Sequence, residues 1–404
     1  MSRVLVLSPE RVRARMAGMA IRALAVARTL ARAGHEVALA CPGGVEEGSA
    51  AGFAITTLDS SESGFAARAS RFDVAVVSGH ALEALGAFEG AVVGDLYDPF
   101  LVENLAYART LGPGVFENDL RALFALAGRA DLVLAASEEQ RLFYLGLLLG
   151  RGVLSAEDLA DDPDARRLVE TAPFGVEETE PGPPVPHPAL GAGPRDVLFG
   201  GVYDWYDPVL VLDAWPLVLA RAPDARLVFS ESPNPASTPQ TRLAAAEARA
   251  KESGWLGTSV RVVPWVAHAE RGGFYRSFRA AVLAHAPSLE TRLSFRTRVL
   301  DFLWAGLPVA ATEGGAASAL VASSGAGLVC PPEARALGEA LAALLTDDAL
   351  AARAGERGRA AASRLGWDVT LAPLLRFAAA PERRRRAERP LWRRVARSAR
   401  RLSG

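Results

Sequence analysis

Residues 179–194 read TEPGPPVPHPALGAGP, with six prolines and three glycines in sixteen positions. Proline fixes φ and has no backbone N–H, so this stretch sustains neither a helix nor a paired strand and reads as a linker. What it separates decides the fold. On its N-terminal side the chain opens with RVLVLS (3–8), an amphipathic run from Ala20 to Ala33, a stop at Gly34 and HEVALA (35–40), which is a βαβ pattern. Four further strand candidates follow: AITTL (54–58), DVAVVSG (73–79), GAVVGDL (90–96) and DLVLAAS (131–137). On the other side the alternation restarts with DVLFGG (196–201), ARLVFSE (225–231), VRVVPWV (260–266), AAVLAHA (280–286), LPVAAT (307–312) and GLVCPP (327–332), with helical patterns such as 239–254 and 334–345 between them. Continuous apolar runs of this kind suit parallel strands buried on both faces. The expectation is an α/β protein of two doubly wound domains, 1–178 and 195–366, with ligands bound outside the carboxyl ends of the strands in a cleft between the two sheets.

Composition agrees with two cores. The chain has 404 residues, half of them hydrophobic, and a formal net charge of -1. No signal-peptide pattern follows Arg3, and no apolar stretch is long and uncharged enough to span a bilayer, so a cytoplasmic protein is expected. The only cysteines, Cys41 and Cys330, are far apart in sequence and lack neighbours at metal-ligand spacing, which argues against a disulfide framework or structural zinc. Kinase or ATPase chemistry is disfavoured because the single lysine, Lys251, is in no phosphate-loop pattern. No motif for a metal-dependent or serine-nucleophile enzyme is present, and neither a metal nor a cofactor is expected. Charge is unevenly placed: residues 381–404 hold ten arginines against two glutamates, interleaved with Leu391, Trp392, Val395 and Leu402. Such a segment suits an anionic membrane surface better than nucleic acid, or else is a solvated tail.

The stretch ETRLSFRTRVLDFLWAGLPVAATEGG (290–315) carries the most chemistry. It follows a strand, and its pattern predicts a helix opening near Ser294, whose hydroxyl would cap it. Free amides of Phe295, Arg296 and Thr297 at that start would form an anion site. Arg298 and Asp301 are three apart and share a helix face. They could neutralise a diphosphate and accept from ribose hydroxyls, or simply pair with each other.

At this point a resemblance can be stated. Asp301, Gly306, Pro308 and Val309 resemble the end of the E-x7-E signature of retaining family-four (group 1) glycosyltransferases, which have the GT-B fold of two Rossmann-like domains facing each other across a cleft. In that family the second Glu binds the donor ribose, which implies the same role for Asp301. Leu293 stands where the first Glu would be, and Glu290 is the candidate stand-in for contacts to the donor sugar. The strand and turn VLFGGVYDWYDP (197–208) is similar to the family's diphosphate-binding turn. There Gly200 and Gly201 would approach the anion, unless they form only a tight turn, while Arg298 and Arg296 supply the charge that the usual Arg and Lys would bring.

RVRARMAGMAIR (11–22) resembles the Gly-rich turn after the first strand, with Gly18 and Arg22 in the expected places, and DLYDPF (95–100) puts Asp95 and Asp98 near the same edge. Asp98 is a candidate for the chemistry or a helix N-cap. His80, after the strand in VVSGH, could reach the acceptor or donor sugar; His285, ending AAVLAHA, lies near the same expected cleft. ASEEQRLFYLGLLLGRG (136–152) is similar to a stretch of a bacterial subgroup, with Ser137 as a helix cap and Gln140 and Arg141 toward the cleft. The resemblance implies a metal-independent transfer from a nucleoside-diphosphate sugar to an acceptor hydroxyl with retention, nucleobase contacts near Val263–Val266, and a helix near Trp367 (367–380) crossing back to the first domain. With the basic tail it suggests a lipid-linked or cell-envelope glycan acceptor at the inner face of the plasma membrane. The alternatives are a nucleotide-sugar 2-epimerase of the same fold and a non-catalytic sugar-nucleotide-binding scaffold.

Overall fold

The computed structural model describes residues 1–105, 112–154, 156–191, 193, 195–232 and 240–384, with the backbone alone at 157. Most of the basic segment, 385–404, and two linker positions, 192 and 194, lie outside the described residues. Two compact units emerge. The first comprises Met1–Arg13, Met19–Pro173 and the chain from Thr370; the second comprises Ala14–Gly18 and Phe174–Val369.

The first unit is built on seven parallel strands: β1 (Arg3–Leu7), β2 (Glu36–Cys41), β3 (Ile55–Asp59), β4 (Val74–Ser78), β5 (Ala91–Asp95), β6 (Leu132–Ala135) and β7 (Val169–Thr171). Their order is β3-β2-β1-β4-β5-β6-β7. β1, β4 and β5 are buried along almost their whole length, as their unbroken Val, Leu and Ala runs predict. β7 escapes the sequence reading because it is three residues long, Val-Glu-Thr, and lies at the edge, where one flank needs no apolar cover. The core between sheet and helices includes Leu5, Val77, Val92 and Leu126, all fully buried, with Tyr144 and Leu148 each 1% exposed.

The second unit has six parallel strands: β8 (Asp196–Gly201), β9 (Arg226–Ser230), β10 (Val260–Val263), β11 (Ala280–Leu283), β12 (Val309–Thr312) and β13 (Gly327–Cys330), in the order β10-β9-β8-β11-β12-β13. All six correspond to strands expected from the sequence. In each unit the winding reverses once, between β1 and β4 and between β8 and β11. The connections leave in opposite directions at such a point and open a crevice at the carboxyl ends of the strands.

One local expectation fails. Ser294 does not open a helix; it is the C-terminal cap residue of a short helix, Leu289–Leu293, in extended conformation. The N-cap is Ser288, whose hydroxyl accepts from the Thr291 amide at 3.0 Å. The next helix runs Arg298–Ala305, with Thr297 at its N-cap position and no side-chain cap bond. Two caps were available six residues apart, and the first nucleates a separate turn.

Candidate functional site

The crevice of the second unit is lined from its own strands outward. β8 carries a register shift between Leu198 and Gly200, which brings Gly200 to a φ of 78°. Only glycine adopts that conformation cheaply. The bareness of Gly200 and Gly201 also makes room for one side chain: a Cβ on Gly200 would lie 2.7 Å from Cδ of Arg298. Arg298, at the start of its helix, donates from Nη1 to the Gly201 carbonyl at 2.7 Å. The rings of Trp265, Tyr203 and Tyr206 stand 5.7, 5.9 and 5.9 Å from its guanidinium carbon. Its Nε and Nη2 have no hydrogen-bond partner among the described residues, and the residue is half-buried. The structure thus holds a guanidinium at the switch point by one hydrogen bond and three aromatic faces, with donors left to take an anion.

Asp301, one turn further on, pairs with Arg271 and not with Arg298, its Oδ1 accepting from the Arg271 Nε at 3.2 Å. Arg271 also donates to Glu177 at 3.3 Å and to the His268 carbonyl at 2.7 Å, and lies 5.1 Å from the Trp304 ring. This frame fixes the carboxylate while its Oδ2 makes no hydrogen bond among the described residues. The shared helix face is therefore real, but the internal pair that the spacing allowed does not form.

Glu290 and Arg296 are brought together as a two-pronged ion pair, with side chains only 11% and 5% exposed. Each engages the other, so the donor-sugar role expected of Glu290 and the phosphate role expected of Arg296 would both have to compete with this pair. Phe295 and Ser294 lie in the connection between the two helices, Ser294 buried and Phe295 half-buried, so residues 295–297 lead into the helix start at Arg298 instead of forming its first turn. Leu293 is 7% exposed, an apolar side chain inside the fold. His285 lies two residues beyond β11, 1% exposed, with both ring nitrogens lacking a partner. Burial, and then the Arg296 charge, pull its pKa down to about 4, so the ring is neutral near pH 7.

Gly18, the last residue of the short stretch grouped with the second unit, begins the helix Gly18–Arg32, which from Met19 belongs to the first. Arg22 is fully buried and turned inward: Nε and Nη2 bind the Asp95 carboxylate at 2.8 and 2.9 Å, Nη2 also the Ala172 carbonyl at 2.9 Å and Nη1 the Pro173 carbonyl at 3.0 Å. Its role is to tie the first helix to the carboxyl ends of β5 and β7, not to meet a ligand directly. Gln140 and Arg141 are likewise structural. Gln140, fully buried, bonds the Ala136 amide at 2.7 Å and the Tyr97 carbonyl at 2.9 Å, and Arg141 bonds Glu138 and the Asp164 carbonyl, while Ser137 caps the helix Glu138–Gly150. Asp98 is half-buried before the helix Phe100–Glu103, whose N-cap position belongs to Pro99, so capping is not its function.

His80 follows β4 at the switch point of this sheet, and here the sequence reading missed a partner. Its Nε2 lies 2.9 Å from Oδ1 of Asp119, a side chain only 4% exposed on the helix Pro113–Arg129, and Asp119 is held in turn by Asn104 at 2.7 Å. The imidazole itself is 42% exposed and rests 5.2 Å from the Phe100 ring. A half-exposed imidazole oriented by a buried carboxylate is the arrangement of a general base. Thirty-nine residues separate the two, so no local pattern announces the pair.

Two doubly wound units of seven and six parallel strands define the GT-B class. The same architecture occurs in solved structures of HepE from Anabaena in complex with UDP-glucose (TM-score 0.66, 16% identity, covering 95% of this chain and 100% of that one). It also occurs in sucrose-phosphate synthase from Thermosynechococcus elongatus (0.63, 18%, 94% and 100%). A UDP-forming trehalose-phosphate synthase from Burkholderia xenovorans is a third case (0.63, 14%, 94% and 99%). At such identities the likeness is one of fold. Residues 194–347, which contain every side chain of the second crevice except Glu177, match the family model of glycosyl transferases group 1. Over those residues the chain is thus similar to group 1 glycosyltransferases, and the protein is a glycosyltransferase. No curated protein sequence matches it.

Proposed function

We propose that the protein transfers a sugar from a nucleoside-diphosphate donor to an acceptor hydroxyl, with the donor held in the crevice of the second unit. The observation that carries this reading is Arg298, a guanidinium fixed at the switch point between β8 and β11 with two donor nitrogens unengaged. It would bind the diphosphate and stabilise the charge that develops on it as the glycosidic bond breaks. Asp301, held by Arg271, would take the ribose hydroxyls, and Trp265 would offer a ring for the base to stack on. HepE in complex with UDP-glucose makes a uridine nucleotide the first donor to try.

His80, steered by Asp119, would handle the acceptor hydroxyl, with Asp98 as a second candidate for the chemistry. The resemblance to retaining enzymes supports retention at the anomeric carbon. The arginine-rich tail supports a lipid-linked or cell-envelope acceptor, with the protein cytoplasmic and peripheral at the inner membrane face. Among the described residues no helix is long and apolar enough to cross a membrane.

The test is thermal unfolding with UDP, GDP, ADP and CMP, followed by transfer assays with the matching sugars. One nucleotide is expected to raise the midpoint of the wild type, and Arg298→Ala and Asp301→Ala to lose that rise. His80→Ala is expected to keep the nucleotide response and lose transfer by about a hundredfold or more, the usual worth of a general base. No response to any nucleotide in the wild type would overturn the reading.

A further inference from the structure

The first unit has a second concavity, at the opposite edge of its sheet from His80. Asp131 and Leu168, which immediately precede β6 and β7, line it, so it opens at the amino ends of the strands. Its volume is about 1180 Å³. Phe124, Leu132, Leu147, Val153 and Phe377 give it an apolar floor, and Asp158, Asp161 and Glu170 stand at its rim. No part of the donor crevice or of the His80–Asp119 pair contributes to it.

The chain itself is led into this groove. The final described helix, Ala372–Ala379, is fastened to the first unit where the Ser2 hydroxyl donates to the Ala378 carbonyl at 2.7 Å. Beyond it, the Arg384 amide donates to Oδ1 of buried Asp131 at 2.9 Å, its guanidinium to the Val153 carbonyl at 2.6 Å, and the same side chain pairs with Asp158 at 3.7 Å. Twenty residues follow, 385–404, carrying eight arginines and the apolar side chains Leu391, Trp392, Val395 and Leu402.

We propose that the groove is the docking site of the chain's own residues 385–404, with Leu391 and Trp392 against the apolar floor. Tethering at Arg384 makes the association intramolecular, at an effective concentration in the millimolar range for a short linker, which a free partner would have to exceed. Apolar contact carries the fit more than charge, because arginines of the lining already answer two of its carboxylates: Arg166 pairs with Glu170 at 2.7 Å, and Arg384 with Asp158 at 3.7 Å. Docking in this way removes Trp392 from water and leaves the arginines for an anionic surface, so that the tail would act on a membrane through charge and not through inserted side chains.

Hydrogen exchange of the full chain without vesicles, compared with the double variant Leu391→Ser and Trp392→Ser, tests this. Amides of 124–132 and 147–153 are expected to exchange on the order of tenfold faster in the variant, those of β8 to be unchanged, and the unfolding midpoint to fall. Unchanged exchange at 124–132 and 147–153 would overturn the proposal. So would protection that differs between the two proteins only after vesicles of anionic phospholipid are added, since that assigns the apolar residues to lipid. If the double variant fails to fold, the single Trp392→Ser is read in the same way.

Discussion

Arg298, Arg22 and Arg296 show how little an arginine's place in sequence says about its task. All three sit in stretches that resemble donor-binding segments, yet Arg22 is satisfied by Asp95 and two carbonyls and Arg296 is paired with Glu290, whereas Arg298 makes a single hydrogen bond, to the Gly201 carbonyl. Breaking either of the buried pairs by removing one partner leaves an uncompensated charge, so their loss would act on folding before it acted on chemistry. His285 permits a sharper prediction. Its folded pKa of about 4 lies below the value near 6.5 expected when unfolded, so between these pH values the unfolded chain binds the extra proton. The group's neutral burial is tolerated fully above about pH 6.5, and stability is lost as pH falls from there toward 4. The whole excursion is on the order of 3 kcal/mol. His285→Gln is expected to flatten the fall of the unfolding midpoint between pH 6.5 and 4; an unaltered slope would mean the ring is not buried neutral.

At the scale of the element, the helix Arg298–Ala305 was legible in kind and wrong at its start. Its apolar face, Val299, Leu300, Phe302 and Leu303, is buried as the spacing requires, and Gly306 ends it in the left-handed conformation at φ 70°. The start was misread because Ser288 and Ser294 are equally good caps on paper, and the choice depends on Thr291, whose hydroxyl reaches the Ala286 carbonyl at 2.8 Å. Gly306 has a second reason to be glycine: a Cβ there would fall 2.1 Å from Nη1 of Arg359 on the helix Asp348–Ala362. Gly306→Ala is expected to lose about 1–2 kcal/mol from left-handed strain together with displacement of that side chain. Urea unfolding of the second unit measures it. Gly306→Asn, which tolerates the conformation better, should lose less at the backbone, and equal losses would place the effect in the Arg359 contact.

At the scale of the whole molecule, the nucleotide that binds should protect one region first. Exchange is expected to slow at Gly200–Gly201, around Trp265 and across 298–301, with no slowing confined to the first unit alone. Protection limited to the first unit would move the donor away from the second unit. The sequence by itself determined the class of fold, because parallel strands buried on both faces must be continuous apolar runs, and a run of prolines cannot belong to either sheet. It also determined that Arg298 and Asp301 share a helix face, since 3.6-residue periodicity is local. What only the tertiary structure decided is which charged groups are taken: Arg22 by Asp95, Glu290 by Arg296, Asp301 by Arg271, and His80 by an Asp119 that no motif marked. Three of these four pairs join residues at least 30 positions apart, and Glu290 and Arg296 meet where the helix ends at an extended Ser294 between them. A local pattern records where a side chain begins, but the partner that satisfies its charge is chosen by whatever the fold brings within hydrogen-bonding distance.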